Sequence, residues 1–418
     1  MFPKMIRVQQ IFDAPYISNL RKVTIANLSK FARSSQMESL EGKRIGITAG
    51  SRGINNIISI LEAMSWFVKN RGGVPYLIPS MGTQGGGCID GQLDILESLG
   101  ITEQSIGAEI IKNIHTSLLG YSSLGIPVFL NEAALNLDGI VVVNRIKPHT
   151  DFTGGIESGI CKMFAIGLGG PQGALTAHSY AMKKGYEQTI TDIAKTMIDN
   201  LNVIAAVGIL ENWKGQVSHI EPFSPKEIFS KEPQLLALAK KNLVKLPVNE
   251  LDVLIIDEIG KNISGTGMDT KVVGRIMVKG QKEPEKPTIS RIVVLDITDE
   301  SHGNAIGLGL ADITTRRAFN KIDLNITAFN SVGSMTPEQG RIPVVMNSDK
   351  DAVNAALDSL GAIKHEESRI IHIRNTLFME EMEVSLPLLK ELSSRDSIRI
   401  LGTSHPLNFS SKGFLPRI

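Results

Sequence analysis

His149, Lys162 and His178 stand thirteen and then sixteen positions apart in the glycine-dense stretch 144–180, directly after the apolar run 139–144 (GIVVVN). A histidine can accept a proton or bind a metal near neutral pH, and a lysine can hold an anion or form a covalent bond. Glycine lets backbone approach a ligand closely, whereas three such side chains in a packed core would each need a partner. The stretch therefore reads as the place where the chemistry happens. Each residue also has a plainer reading: His149 after Pro148 as a turn residue, Lys162 as a solvated lysine, His178 as a helix cap.

The elements that must position these groups are legible around them. The run 43–48 (KRIGIT) ends in Ala49-Gly50-Ser51-Arg52-Gly53, after which Ile54, Ile57, Ile58, Leu61, Met64, Phe67 and Val68 recur at helical spacing. The run 74–79 is the next strand and empties into Met81-Gly82-Thr83-Gln84-Gly85-Gly86-Gly87; the run 139–144 opens into the stretch above. Strands that each end in glycine, with helical patterns between, describe an open α/β sheet whose ligand crevice lies outside the strand ends. After a strand at 203–210, the Pro-, Lys- and Glu-rich segment 221–245 reads as a helical or linking excursion. The rhythm restarts at 251–257, with strands at 291–297, 343–346 and 370–373 and a helix at 349–360. The expected organisation is α/β, with two α/β domains of open sheets and an interdomain cleft. The N-terminal domain, 1–248, carries the site; the C-terminal domain is 249–390; the tail 391–418 is expected to pack back on the N-terminal domain.

A length of 418 residues exceeds what one hydrophobic core sustains, in keeping with two domains. With 44 basic and 43 acidic residues the formal charge is +1, so no global field draws the chain to nucleic acid or an anionic membrane, and a small-molecule ligand is expected. Cys88 and Cys161 are too few for a disulfide framework or a cysteine-built zinc site. No window reaches the roughly eighteen apolar residues that cross a bilayer. The expectation is a cytoplasmic protein with no membrane partner, and a homo-oligomer is left open.

The segment 48–55 superficially matches the dinucleotide loop of short-chain dehydrogenases, and Tyr180 with Lys184 supplies a Tyr-x-x-x-Lys. Two of the glycines that such a loop needs fall on Ala49 and Asn55, where a side chain would obstruct the pyrophosphate, so this reading is set aside.

His149, Lys162 and His178, together with Arg52 and the Gly82-Thr83 turn, resemble the active site of the nickel-pincer lactate racemase family, and the resemblance spans both domains. In that family a lysine is joined through a thioamide to a modified pyridinium nucleotide, the nickel-pincer nucleotide (pyridinium-3-thioamide-5-thiocarboxylate mononucleotide). Its ring carbon and two sulfurs hold nickel, Ni, and a histidine is the fourth ligand. Ser158-Gly159-Ile160-Cys161-Lys162 stands where the family has Ser-Gly-Gly-x-Lys, which makes Lys162 the implied tether and His178 the implied nickel ligand. Lys147-Pro148-His149, with Phe152 and Gly154, is similar to the Pro-His-x-Phe-x-Gly segment that bears an acid/base histidine. Arg52 matches an arginine of the substrate or cofactor region, and Ser51, Gly82 and Thr83 fall in the loops implied to contact the cofactor. The resemblance implies that the ring accepts a hydride from the α-carbon of a 2-hydroxy acid while His149 takes the hydroxyl proton. Return of the hydride to the opposite face inverts the centre.

The chain leaves the family pattern at three places. The second acid/base histidine of a Gly-Thr-His motif is here Gln84, which cannot titrate; Asp151 and His115 are the candidates to replace it. Val273 and Gly274 fall where the family places a substrate-contacting Tyr-Gln, with Arg275 in place of a nearby lysine. Ala49 occupies the position of an aspartate. A changed wall implies a changed substrate. Three readings follow: a hydroxy-acid racemase or epimerase, a one-base redox enzyme on the same cofactor, and a non-catalytic binder of a nucleotide or small acid. His302 and the pair Arg316-Arg317 are weaker candidates for reading an acidic substrate, and Asp257, Asp269 and Asp296 for a second metal.

Overall fold

The computed structural model of the protein describes residues 2–35, 39–51 and 53–418. The chain divides into an N-terminal unit, Ala14–His149 with Thr153–Leu243, and a C-terminal unit, Met1–Asp13 with Thr150–Phe152 and Val244–Ile418. Both are α/β, the class expected from the sequence. The first strand, β1 (Lys4–Gln10), belongs to the C-terminal unit.

In the N-terminal unit come β2 (Arg44–Ala49), β3 (Val74–Pro79), β4 (Glu109–Ile110), the two-stranded ribbon β5 (Thr116–Tyr121) and β6 (Pro127–Asn131), then β7 (Gly139–Arg145), β8 (Val203–Glu211) and β9 (Val217–Phe223). The six-stranded sheet has the order β4-β3-β2-β7-β8-β9 and is parallel except for β9. Its strands are continuous apolar runs because helices cover them. Ile45, Ile47, Leu77, Val141, Val143 and Val207 share one core with Leu61, Met64 and Val68 of the helix Ile57–Lys69. Each such aliphatic side chain contributes about 1.5–3 kcal/mol on burial. From β2 the chain builds outward through β3 and β4, and from β7 it builds the other way, so the order reverses between β2 and β7. Ligands of open α/β sheets bind outside the strand ends at such a reversal.

The C-terminal unit adds β10 (Glu250–Ile256), β11 (Thr288–Val294), β12 (Ile313–Thr315), β13 (Val344–Met346), β14 (Ile370–Ile373), β15 (Glu381–Ser385) and β16 (Ile398–Pro406). With β1 they form one sheet of order β13-β12-β11-β10-β14-β15-β1-β16. Here the sequence-based expectation is corrected. The tail does not join the N-terminal unit: β16 pairs antiparallel with β1, from Lys4 opposite Pro406 to Gln10 opposite Ile398. Beyond it Leu407 and Leu415 bury against Met5, Val253 and Ile370. The physical reason is β1 itself, whose other edge is taken by β15 and whose free edge needs a partner. The first thirteen residues and 244–248, expected in the N-terminal domain, likewise belong here.

Candidate functional site

In the N-terminal unit the ends of β2, β3 and β7 converge on one helical run. It opens as Ile160–Lys162, widens into a π-helix over Met163–Leu168, and continues as Gly170–Lys184. Single π segments inside α-helices are rare and concentrate at functional sites. Lys162 is the last residue before this one. A Cβ on Gly167 would lie 2.4 Å from Met163 Sδ and 2.9 Å from Ser80 O; one on Gly50 would lie 3.2 Å from Met163 Cε. Gly82, at φ +59°, packs its backbone on Ile166 and Ala174. Asn144 Nδ2, at the end of β7, donates to Gly159 O at 2.8 Å. Gly50, Gly82 and Gly167 therefore serve close packing of helix on strand ends.

The structure brings the three chemical groups together. Lys162 Nζ lies 2.7 Å from His149 Nε2. The backbone N–H of His149 donates to Glu157 Oε2 at 2.6 Å, and Gly154 N–H donates to Glu157 Oε1 at 3.0 Å. Glu157 is fully buried and is neutralised by Lys240 Nζ at 2.6 Å. A buried carboxylate is stable only when paired and hydrogen-bonded, and this one meets both needs while fixing the loop under His149. The imidazole of His178, on the helix Gly170–Lys184, has its pKa pushed down to about 4, first by burial and then by the positive charge of Lys162. It is neutral at pH 7 and keeps a ring lone pair, as a metal ligand requires. Tyr186 stands between the histidines, its ring centroid 6.4 Å from His149 at 24° and 6.1 Å from His178 at 69°. Sequence reading missed Glu157, Lys240 and Tyr186. The one available signal was an acidic residue, Glu157, inside a run of glycine and apolar residues.

The remaining sequence candidates are spread out. Gly82 is buried, with its carbonyl accepting from Gln92 Nε2 at 3.1 Å, whereas Thr83 and Gln84 are exposed on the same turn. Ser51 is half-buried after β2, and Arg52 lies outside the described residues. His115 is exposed before β5. Asp151 lies in Thr150–Phe152 of the C-terminal unit, where Thr270 Oγ1 donates to Thr150 O and Lys271 Nζ to Phe152 O at 3.0 Å.

In the C-terminal unit several candidates carry structural tasks. Arg275 bonds Asp312 at 2.9 Å and the carbonyls of Leu310 and Ile289, so its guanidinium is committed within the unit. Arg317 is paired with Asp296 and Asp349, Asp257 with His372, and the Asp269 carboxylate caps Lys271 N–H at 2.8 Å. His302 is exposed in a left-handed turn. Among the described residues no group of three or more His, Cys, Asp or Glu is placed to hold a metal ion.

No protein-family model matches the chain, and no curated protein matches it. Among solved structures it is similar to the lactate racemase apoprotein from Thermoanaerobacterium thermosaccharolyticum, with a TM-score of 0.54 and 12% identity over 88% of this chain and 93% of that one. That likeness is one of fold. No helix among the described residues is long and apolar enough to cross a membrane.

Proposed function

We propose that the chain is a racemase or epimerase of a small 2-hydroxy acid that works with a nickel-pincer nucleotide. The observation that carries this reading is the meeting of Lys162, His149 and a neutral His178 beside the sheet's reversal point, in a fold shared with a lactate racemase apoprotein. The residues fit the group. Lys162 presents an amine from the start of a helical run, and His178 offers one uncharged ligand nitrogen. With no three-residue cluster among the described residues, a metal at His178 would take its other ligands from a bound molecule. Lys162 would thus hold the nucleotide and His178 its nickel. When bound, the group supplies a reversible two-electron acceptor for the carbon that bears the substrate hydroxyl.

His149 is the proton acceptor in this reading. Its Nε2 now faces the Lys162 amine; once that nitrogen is acylated it carries no ammonium, and Nε2 keeps its lone pair for the substrate hydroxyl. Glu157 holds the His149 backbone while this exchange of partners occurs. A one-base redox enzyme on the same cofactor is the second reading, favoured by Gln84, an exposed amide that exchanges no proton at neutral pH.

The test uses the full chain made in cells that synthesise the pincer nucleotide. The expected results are a mass gain on the Lys162 peptide, bound nickel, and inversion of single-enantiomer hydroxy acids without an added acceptor, followed by chiral chromatography in deuterium oxide. A persistent keto acid selects the redox reading. Absence of both mass gain and nickel overturns both and leaves a non-catalytic binder. His149→Ala is expected to keep the mass gain while turnover falls by about 10²–10⁴-fold; unchanged turnover removes His149 as the base.

A further inference from the structure

The helix Ile228–Lys241, within the segment read from the sequence as a helical or linking excursion, sends Glu232 into the core beneath the start of the lysine-bearing run. Its Oε2 accepts from the backbone N–H of Cys161 at 2.9 Å. Its Oε1 is buried without a hydrogen-bond partner. A Cβ on Gly159 would lie 2.0 Å from that Oε1, so the carboxyl is pressed flat against the backbone where the run begins. An apolar residue of similar size would fill this space without the cost of desolvating a carboxyl. What the carboxyl adds is an acceptor for one of the N–H groups that a helix start leaves unpaired.

We infer that Glu232 is a positioning residue for Lys162: by holding the Cys161 N–H it fixes the peptide that leads into Lys162 and so aims the lysine amine at His149 Nε2. Asn144 holds the other side of the same turn through Gly159 O. The helix start is thereby clamped from β7 and from a residue 71 positions further along the chain. Burial pushes the Glu232 carboxyl up to about 7, against the pull of hydrogen bonding at Cys161 and the Ile160 backbone. The inference rests on the reading of Lys162 as the functional lysine, but it concerns the amine's placement and needs no cofactor.

The experiment is trace acetylation of the folded full chain, with the Lys162 peptide quantified by mass spectrometry against surface lysines such as Lys282. Glu232→Leu removes the acceptor and is expected to raise the relative rate at Lys162 roughly fivefold, the effect of losing a helix cap. Glu232→Gln keeps a carbonyl acceptor and is expected to stay within about twofold of the parent by the same logic. A folded Glu232→Leu chain whose Lys162 rate equals that of the parent, or moves only with the control lysines, overturns the inference. Should Glu232→Leu not fold, hydrogen exchange at the Cys161 amide decides: slow exchange in the parent and in Glu232→Gln supports the bond, and fast exchange in the parent overturns it. Failure of the proposed function would appear elsewhere, as no mass gain on Lys162 in cofactor-producing cells, so the two failures are distinguishable.

Discussion

His178 binds a proton far more weakly than an ordinary histidine, and the two causes can be separated. Burial comes first and the charge of Lys162 second. In the metal-free chain, nuclear magnetic resonance of the ring should place its titration near pH 4, and Lys162→Met should move it upward; an unmoved value would assign the whole shift to burial. The sign for stability follows from the direction. The unfolded chain takes up the proton near pH 6.5 and the folded chain only near 4, so the contribution is present above about 6.5 and is lost as pH falls through the folded value. The limiting slope is about 1.4 kcal/mol per pH unit, and His178→Gln should flatten it in urea titrations between these limits. Of this site, His149, Lys162 and His178 were legible in the sequence because they lie within one stretch and carry distinctive chemistry. Glu232 and Lys240 were not, because a contact between that stretch and a helix far along the chain leaves no periodic trace.

At the scale of elements, the strands at β2, β3 and β7 were legible as apolar runs ending in glycine, and their reversal point lies where the site is. The π segment Met163–Leu168 was not, since six residues are too few to reveal a change of helical period. Its dependence on glycine is testable. Gly167→Ala places a methyl against Met163 Sδ and the Ser80 carbonyl, one of them backbone that cannot move aside, and should cost about 1–3 kcal/mol in urea unfolding. Gly265→Ala meets nothing within 4 Å and serves as the control. Equal stability of the two variants would show that the helix and the strand end are not in close contact.

At the scale of the whole molecule, the C-terminal unit is tied together by a series of ionisable groups that runs from the buried middle of its sheet toward its edge. His372 on β14 lies 2.7 Å from Asp257 Oδ1, Glu383 on β15 lies 3.1 Å from His405 on β16, and the final residue, Ile418, donates its N–H to Asp257 Oδ2 at 2.8 Å. Burial works against a charged His372, but the hydrogen bond to Asp257 and the nearby Glu383 carboxylate, 3.7 Å from Nδ1, outweigh it and raise the pKa. A raised folded pKa means stability that is full below the unfolded value of about 6.5 and lost as pH rises through the higher folded pKa. The unfolding midpoint of this unit, followed by hydrogen exchange of β14 amides, should therefore fall on the alkaline side, and Asp257→Asn should flatten the dependence. A profile unchanged by that substitution would remove the pair as its source.

The placement of β1 has a consequence for the order of events during synthesis. This seven-residue strand is made before every other strand of its sheet, yet its two neighbours there, Glu381–Ser385 and Ile398–Pro406, are made after all the others. The N-terminal unit's strands are all translated by Phe223 and can pair while β1 is still without either neighbour. Closure of the eight-stranded sheet therefore waits for the last two of its strands to be made, long after the first.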